Sequence, residues 1–130
     1  MPGIVIEVRR QYSKEEETNL MNAVHIALQT AFKIPASGKN IRLFVHEPHR
    51  FSCPAEVDNP EYYTFIGIEA FAGRSIEAKR KLYKAIVEGL GVLGIPLDHI
   101  EVVLREIPRE NWGLRGGRAA SDVELSFKIV

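Results

Sequence analysis

The sequence predicts an α+β fold with α/β-like repeats: two β-α-β units in tandem, forming a four-stranded sheet with two helices on one face. Two observations carry this. Strand-like and helix-like stretches alternate twice in the same order along 130 residues, and the second half of the chain repeats the first. At a spacing of 62 positions Ile4 meets Ile66, Ile6 meets Ile68, Glu7 meets Glu69, Ser13 meets Ser75, Leu20 meets Leu82, Ala23 meets Ala85 and Leu28 meets Leu90. After small gaps Ile34-Pro35 meets Ile95-Pro96, and Ile41 meets Ile100. On this reading residues 1–130 form one domain, with repeat one over 2–47, a linker over 48–61, repeat two over 62–107 and a carboxy-terminal tail over 108–130.

Each element has its own local signal. Ile4-Val5-Ile6-Glu7-Val8 is rich in β-branched residues and reads as a buried strand. Ser13, with Glu16 three positions on, makes a capping box that opens a helix over 14–32. Leu20, Val24, Ala27, Leu28 and Ala31 fall on one face of that helix. Pro35 and Gly38 end it, and Ile41 to Val45 is the second strand. Phe65 to Ala70 is the third, followed by a second helix capped by Ser75, with Leu82, Ile86, Gly89, Leu90 and Leu93 on its apolar face. Ile95-Pro96 closes that helix, and Glu101 to Leu104 is the fourth strand. The tail runs through Asn111-Trp112-Gly113 to an alternating stretch, Val123 to Ile129, which predicts a final strand. Each helix serves as a crossover between parallel strands. Two helices cover only one face of such a sheet, so the other face calls for burial between subunits.

Composition narrows the function. Seventeen Lys and Arg balance seventeen Asp and Glu, which argues against the broad positive field of a nucleic-acid or anionic-membrane binder. The longest apolar runs fall well short of a membrane span, and the amino terminus lacks the pattern of a secretory signal. A cytoplasmic location is expected. Cys53 is the single cysteine, which rules out an intrachain disulfide and a Cys-rich zinc site. His46, His49 and Cys53 are loosely spaced between Pro48 and Pro54, and no second half of a zinc motif accompanies them. No metal is expected.

Two residues stand out chemically. While Met1 is attached, the Pro2 nitrogen is an amide. Once Met1 is removed it becomes a secondary amine, and an unperturbed α-amino group titrates at roughly 7.7–8.0. Burial beside a cation lowers that value, and the ring fixes the direction of the lone pair. Arg74 lies in Ala72-Gly73-Arg74-Ser75, between a strand and a helix cap. A guanidinium there suits a carboxylate, although a solvated arginine in a turn fits the same local pattern.

Pro2 behind the initiator Met, tandem units of about 60 residues, Ala72-Gly73-Arg74-Ser75 with Lys79, and Asn111-Trp112-Gly113 together resemble the tautomerase superfamily. Within it the chain is most similar to the fused members of about 130 residues, the group that includes malonate semialdehyde decarboxylase. The resemblance spans nearly the whole chain. It implies a homotrimer, no cofactor, a small acidic organic substrate, Pro2 as general base, and Arg74 as the group that binds a carboxylate or polarises a carbonyl. The chain departs from the decarboxylase pattern at Gly38, where that branch carries Asp, and at Ala72, where it carries a second Arg. It departs from the haloacrylate dehalogenase branch at Phe71, where that branch carries Arg. Keto–enol tautomerisation, which needs the fewest partners, is the expected reaction. Decarboxylation, hydration or dehalogenation of a three-carbon acid, and a non-catalytic trimeric binding protein, are the alternatives.

The same comparison suggests residues around the site. His25 resembles a helix histidine of the dehalogenase branch and is a candidate to line the pocket. A boundary histidine bonded to its surroundings fits its position as well. Tyr63 and Phe71 are candidates to wall the pocket, with packing in the core as the other reading. Trp112 and Arg118, near Arg115, are candidates to close a neighbouring subunit's site or to pack between subunits.

Overall fold

A computed structural model describes residues 2–130, and Met1 lies outside them. The regular elements are β1 (Gly3–Val8), α1 (Lys14–Phe32), β2 (Ile41–Val45), β3 (Thr64–Phe71), α2 (Ile76–Val92) and β4 (Ile100–Ile107), joined by short 3-10 turns. Within the first unit β1 and β2 are parallel, and within the second β3 and β4 are parallel. The units join through an antiparallel β1–β3 pair, giving the order β2-β1-β3-β4.

The repeat explains this central pair. Ile4 stands opposite Ile68 and Ile6 opposite Ile66, so each residue faces the counterpart of its own second neighbour. The two units are thereby related by a local two-fold through the sheet, and their equivalent ends point in opposite directions. The apolar side of the sheet carries Ile4, Ile6, Val8, Ile66, Ile68 and Ala70, all buried. It packs against Leu20, Val24, Leu28, Leu82, Ile86 and Leu90 of the two helices. Fully burying one such aliphatic side chain is worth about 1.5–3 kcal/mol. On the side away from the helices, Phe44 of β2 is 49% exposed and Val103 of β4 is 36% exposed.

Local chemistry sets the helix ends. The Ser13 side chain accepts from the Glu16 N–H at 3.1 Å while the Glu16 carboxylate accepts from the Ser13 N–H at 2.9 Å. Lys33 ends α1 in the left-handed region, at φ 56°, with its N–H bonded to the Gln29 carbonyl. Ser75 caps α2 by accepting from the Ala78 N–H at 3.1 Å. Because no other group among the described residues accepts from that donor, Ser75→Ala should cost about 1 kcal/mol of stability. Urea unfolding followed by circular dichroism checks this as a lower midpoint with an unchanged slope.

The tail corrects the sequence expectation. Residues 123–129 keep the alternation, with Val123, Leu125, Phe127 and Ile129 half-buried and their neighbours exposed, but they form no strand. The edges of β2 and β4 take no rung from them, and the one bridge of the tail joins Gly113 to Ala119. Phe127 packs on the core, and Ile129 lies 3.5 Å from where a Cβ on Gly73 would stand. Alternating polarity therefore records an extended segment half covered by its own chain. A ladder needs a free edge as well, and this segment lies against the protein elsewhere.

Candidate active site

One end of the sheet gathers most of the candidate residues. Because β1 starts where β3 and β4 finish, Pro2 emerges at the same end as Phe71, Gly73, Arg74 and Trp112. Helix α1 runs back across the sheet and delivers Phe32 to this end, and β2 begins here after Asn40. Pro2 is buried, on the same side of the strand as Ile4 and Ile6. The segment behind it is held by the Ile4 N–H, which donates to the Asn40 carbonyl at 3.0 Å.

Arg74 is only 7% exposed. Its guanidinium carbon sits 4.3 Å from the centroid of the Phe32 ring, and one terminal nitrogen donates to the Phe71 carbonyl at 2.9 Å. Its Nε–H is buried and, among the described residues, has no partner. Burial pulls the guanidinium pKa below its usual value, and the Glu106 carboxylate pulls the other way. An arginine stays charged in any such setting. A buried cation stacked on a ring with a spare in-plane donor is a seat for an anion.

The loop that carries Arg74 is fixed from β4. Gly73 turns at φ 118°, a conformation an L side chain rarely adopts. Its N–H donates to Glu106 Oε2 at 3.2 Å, and Lys79 of α2 donates to Glu106 Oε1. The Lys79 bond, aided by Gly73, holds the Glu106 carboxyl below the usual 4.5. A carboxylate with a depressed pKa adds stability above its unfolded value and loses it as pH falls through the folded one. Glu106→Gln should therefore be less stable than the parent near neutrality, and the gap should close below about pH 4.5. Urea midpoints at pH 7 and pH 3 check the sign.

Beside Phe71 lies a wall of tail residues. The rings of Phe71 and Trp112 meet edge-on at 5.0 Å between centroids. Trp112 and Gly113 border two openings. The smaller, about 240 Å³, is completed by Glu69, Ile107 and Asn111. The larger, about 450 Å³, is lined by Ser37, Gly38, Lys39, Asn40, Arg42, Leu114 and Arg115 as well. Three cations and no carboxylate line that larger cavity. Asn40 links it to the amino terminus, since its amide nitrogen is 3.9 Å from where a Cβ on Gly3 would stand.

Of the residues singled out in the sequence, Pro2, Phe71, Arg74 and Trp112 meet at this end. His25 is buried on α1, and its Nε2 donates to the Ala36 carbonyl at 3.0 Å, next to the cavity rim but outside its lining. Tyr63 is a correction. It lies just before β3, at the far end of the sheet, about 26 Å of strand from Phe71. Its hydroxyl donates to Glu101 Oε2 at 2.7 Å, and burial, then that bond, raises its pKa. The opening of repeat two is remote from Pro2 because the central pair is antiparallel. Arg118 is exposed in the protomer, and a terminal nitrogen donates to the Asp122 carbonyl at 3.3 Å within the tail. Arg115 lines the larger cavity. Lys39, Asn40 and Arg42 were not legible as site residues, although the start of a strand parallel to β1 was the clue. His46 pairs with Glu7 at 2.8 Å and lies tilted against the Phe51 ring, 5.2 Å between centroids. Among the described residues no three His, Cys, Asp or Glu side chains converge as a metal site would require.

The fold and this end of the sheet define a class. The model of a family described as "Tautomerase enzyme" matches residues 38–115, and the chain belongs to that family. A probable tautomerase of Ralstonia nicotianae is 31% identical over 52 residues, which is 39% of this chain and 74% of that protein. A solved structure of the FG41 malonate semialdehyde decarboxylase, inhibited by 3-bromopropiolate, superposes with a TM-score of 0.83 at 25% identity, covering 95% of this chain and 98% of its own. An asymmetric trimer of a fused 4-OT shares the fold, with a TM-score of 0.82 at 23% identity over 92% of this chain and 97% of its own. Among the described residues no helix is long and apolar enough to cross a membrane.

Proposed function

We propose that this chain is a cofactor-independent keto–enol tautomerase acting on a small enol or 2-keto acid. The observation that carries the proposal is Arg74: buried, stacked on Phe32, and with an Nε–H that has no partner among the described residues, at the end of the sheet where Pro2 leads into the first strand. With Met1 removed, the Pro2 amine takes the proton of an enol hydroxyl. Arg74 binds the carboxylate and shares the charge of the enolate. The Pro2 ammonium then gives a proton to the adjacent carbon, and the keto acid leaves with the amine regenerated. Atoms and charge balance without a co-reactant. Oriented charge stabilisation and positioned proton transfer are the two contributions.

The cations of the larger cavity support an acidic substrate. Gly38 and Ala72 argue against decarboxylation by the route of the similar decarboxylase branch. Gly38 lines the cavity without a side chain, and Ala72 contributes its N–H to the Ile107 carbonyl at 3.0 Å. We further propose a homotrimer. The sheet face bearing Phe44 and Val103 favours a subunit contact, and the fused 4-OT neighbours are trimers.

The test begins with mass spectrometry of the amino terminus, followed by ketonisation of an arylenolpyruvate monitored by absorbance. A chain beginning at Pro2 should turn it over. A chain proved to begin at Pro2 that leaves the enol untouched, while still binding it, would instead establish a binding protein.

A further inference from the structure

The rim of the larger cavity is held from α1 by two side chains one turn apart. Residues 36–40 connect the end of α1 to β2 and supply Ser37, Gly38, Lys39 and Asn40 to the cavity wall. At the start of this segment His25 Nε2 donates to the Ala36 carbonyl at 3.0 Å. That bond puts a proton on Nε2, and the buried Nδ1 has no partner among the described residues. Three residues before His25, the Asn22 side-chain amide oxygen Oδ1 accepts from the Lys39 ammonium. Positions three apart share a helix face, so one face of α1 grips both ends of residues 36–39. His25 is 7% exposed, and among the described residues its side chain makes no other hydrogen bond.

Resting on the proposed tautomerase reading, we infer that His25 and Asn22 are positioning residues. His25 sets the path of the rim through Ala36, and Asn22 holds the Lys39 ammonium in the cavity wall. Among the described residues neither is hydrogen-bonded to Pro2 or Arg74, so their role is in seating the acidic substrate and not in moving its proton. Loss of the His25 bond should raise KM and leave kcat largely alone, because the reacting groups stay in place. A glutamine puts an amide N–H near the position of Nε2 and should restore the grip, whereas a leucine fills the space without a donor.

The experiment compares His25→Leu, His25→Gln and Asn22→Ala with an arylenolpyruvate as probe. His25→Leu should raise KM about tenfold with kcat within about threefold, and His25→Gln should return KM to within about threefold of the parent. Asn22→Ala should raise KM with kcat unchanged. A parental KM in His25→Leu, equal impairment in His25→Gln, or a loss confined to kcat would overturn the inference. If His25→Leu does not fold, a parental KM in Asn22→Ala overturns it on its own. Amide hydrogen exchange at Gly38 and Lys39 supplies a readout that needs no turnover. It should quicken in His25→Leu and remain parental in His25→Gln. A parent chain that turns over no enol defeats the functional proposal, while the exchange data still decide whether His25 positions the rim.

Discussion

Replacing Pro2 by alanine is expected to lower kcat/KM for an arylenolpyruvate by about 100-fold or more, within the range that a positioned general base contributes. The change is small in volume and leaves an amine at the terminus, so the effect isolates what the ring does. Proline has its φ locked, and its nitrogen lies one residue before Gly3, whose strand pairs on both sides with β2 and β3. The lone pair is therefore aimed by the backbone. An alanine amine turns about its own N–Cα bond and must be ordered in each turnover. The loss should appear in kcat, with the circular dichroism spectrum unchanged. Activity that survives the substitution intact would sink the base assignment.

The second large effect is expected at Arg74. Arg74→Ala should reduce kcat/KM by about 10²- to 10³-fold, the scale found when a donor to a developing oxyanion is removed. Arg74→Lys should recover little, because an ammonium lacks the planar fork and the flat stacking surface that Phe32 receives. Stability separates this reading from a structural one. A buried guanidinium with an unused donor is a cost to the folded chain. Thermal unfolding of Arg74→Ala should then occur at the parent temperature or above it. A large fall in melting temperature together with intact turnover would mean that Arg74 serves the fold alone.

Much of the architecture was legible because the core repeats a simple pattern. The capping serines, the β-branched strands and the shift of 62 residues are local signals, and each predicted element but the last appears. The pairing between the units was harder to read. Nothing in Ile4–Val8 or Phe65–Ala70 states whether the two strands run together or opposed, yet that choice decides which ends meet. It sends Tyr63 away from Pro2 and brings Phe71 and Arg74 toward it. The tail failed as a strand because alternation reports half-burial, and Phe127 and Ile129 obtain that by lying on the protein surface. Lys39 and Arg42 look like ordinary surface cations in sequence. Only the parallel pairing of β1 with β2, which sets Ile4 beside Ile41, brings them to the chain terminus. Arg118 and Arg115 lie three positions apart in a glycine-rich turn, and the turn geometry alone decides which of them reaches the cavity.

The proposed mechanism requires the terminal amine of Pro2, buried at the end of the sheet that also carries Arg74, to be unprotonated when the substrate arrives. Titration of Pro2 by nitrogen-15 NMR, in a chain proved by mass spectrometry to begin at Pro2, measures this directly. In that mechanism burial and a facing Arg74 guanidinium both disfavour the ammonium, so the amine is expected to titrate below the roughly 7.7–8.0 of an ordinary α-amino group. The rise of kcat/KM with pH should follow the same midpoint. An amine that titrates at or above that range, or a pH profile that ignores it, would rule out Pro2 as the base.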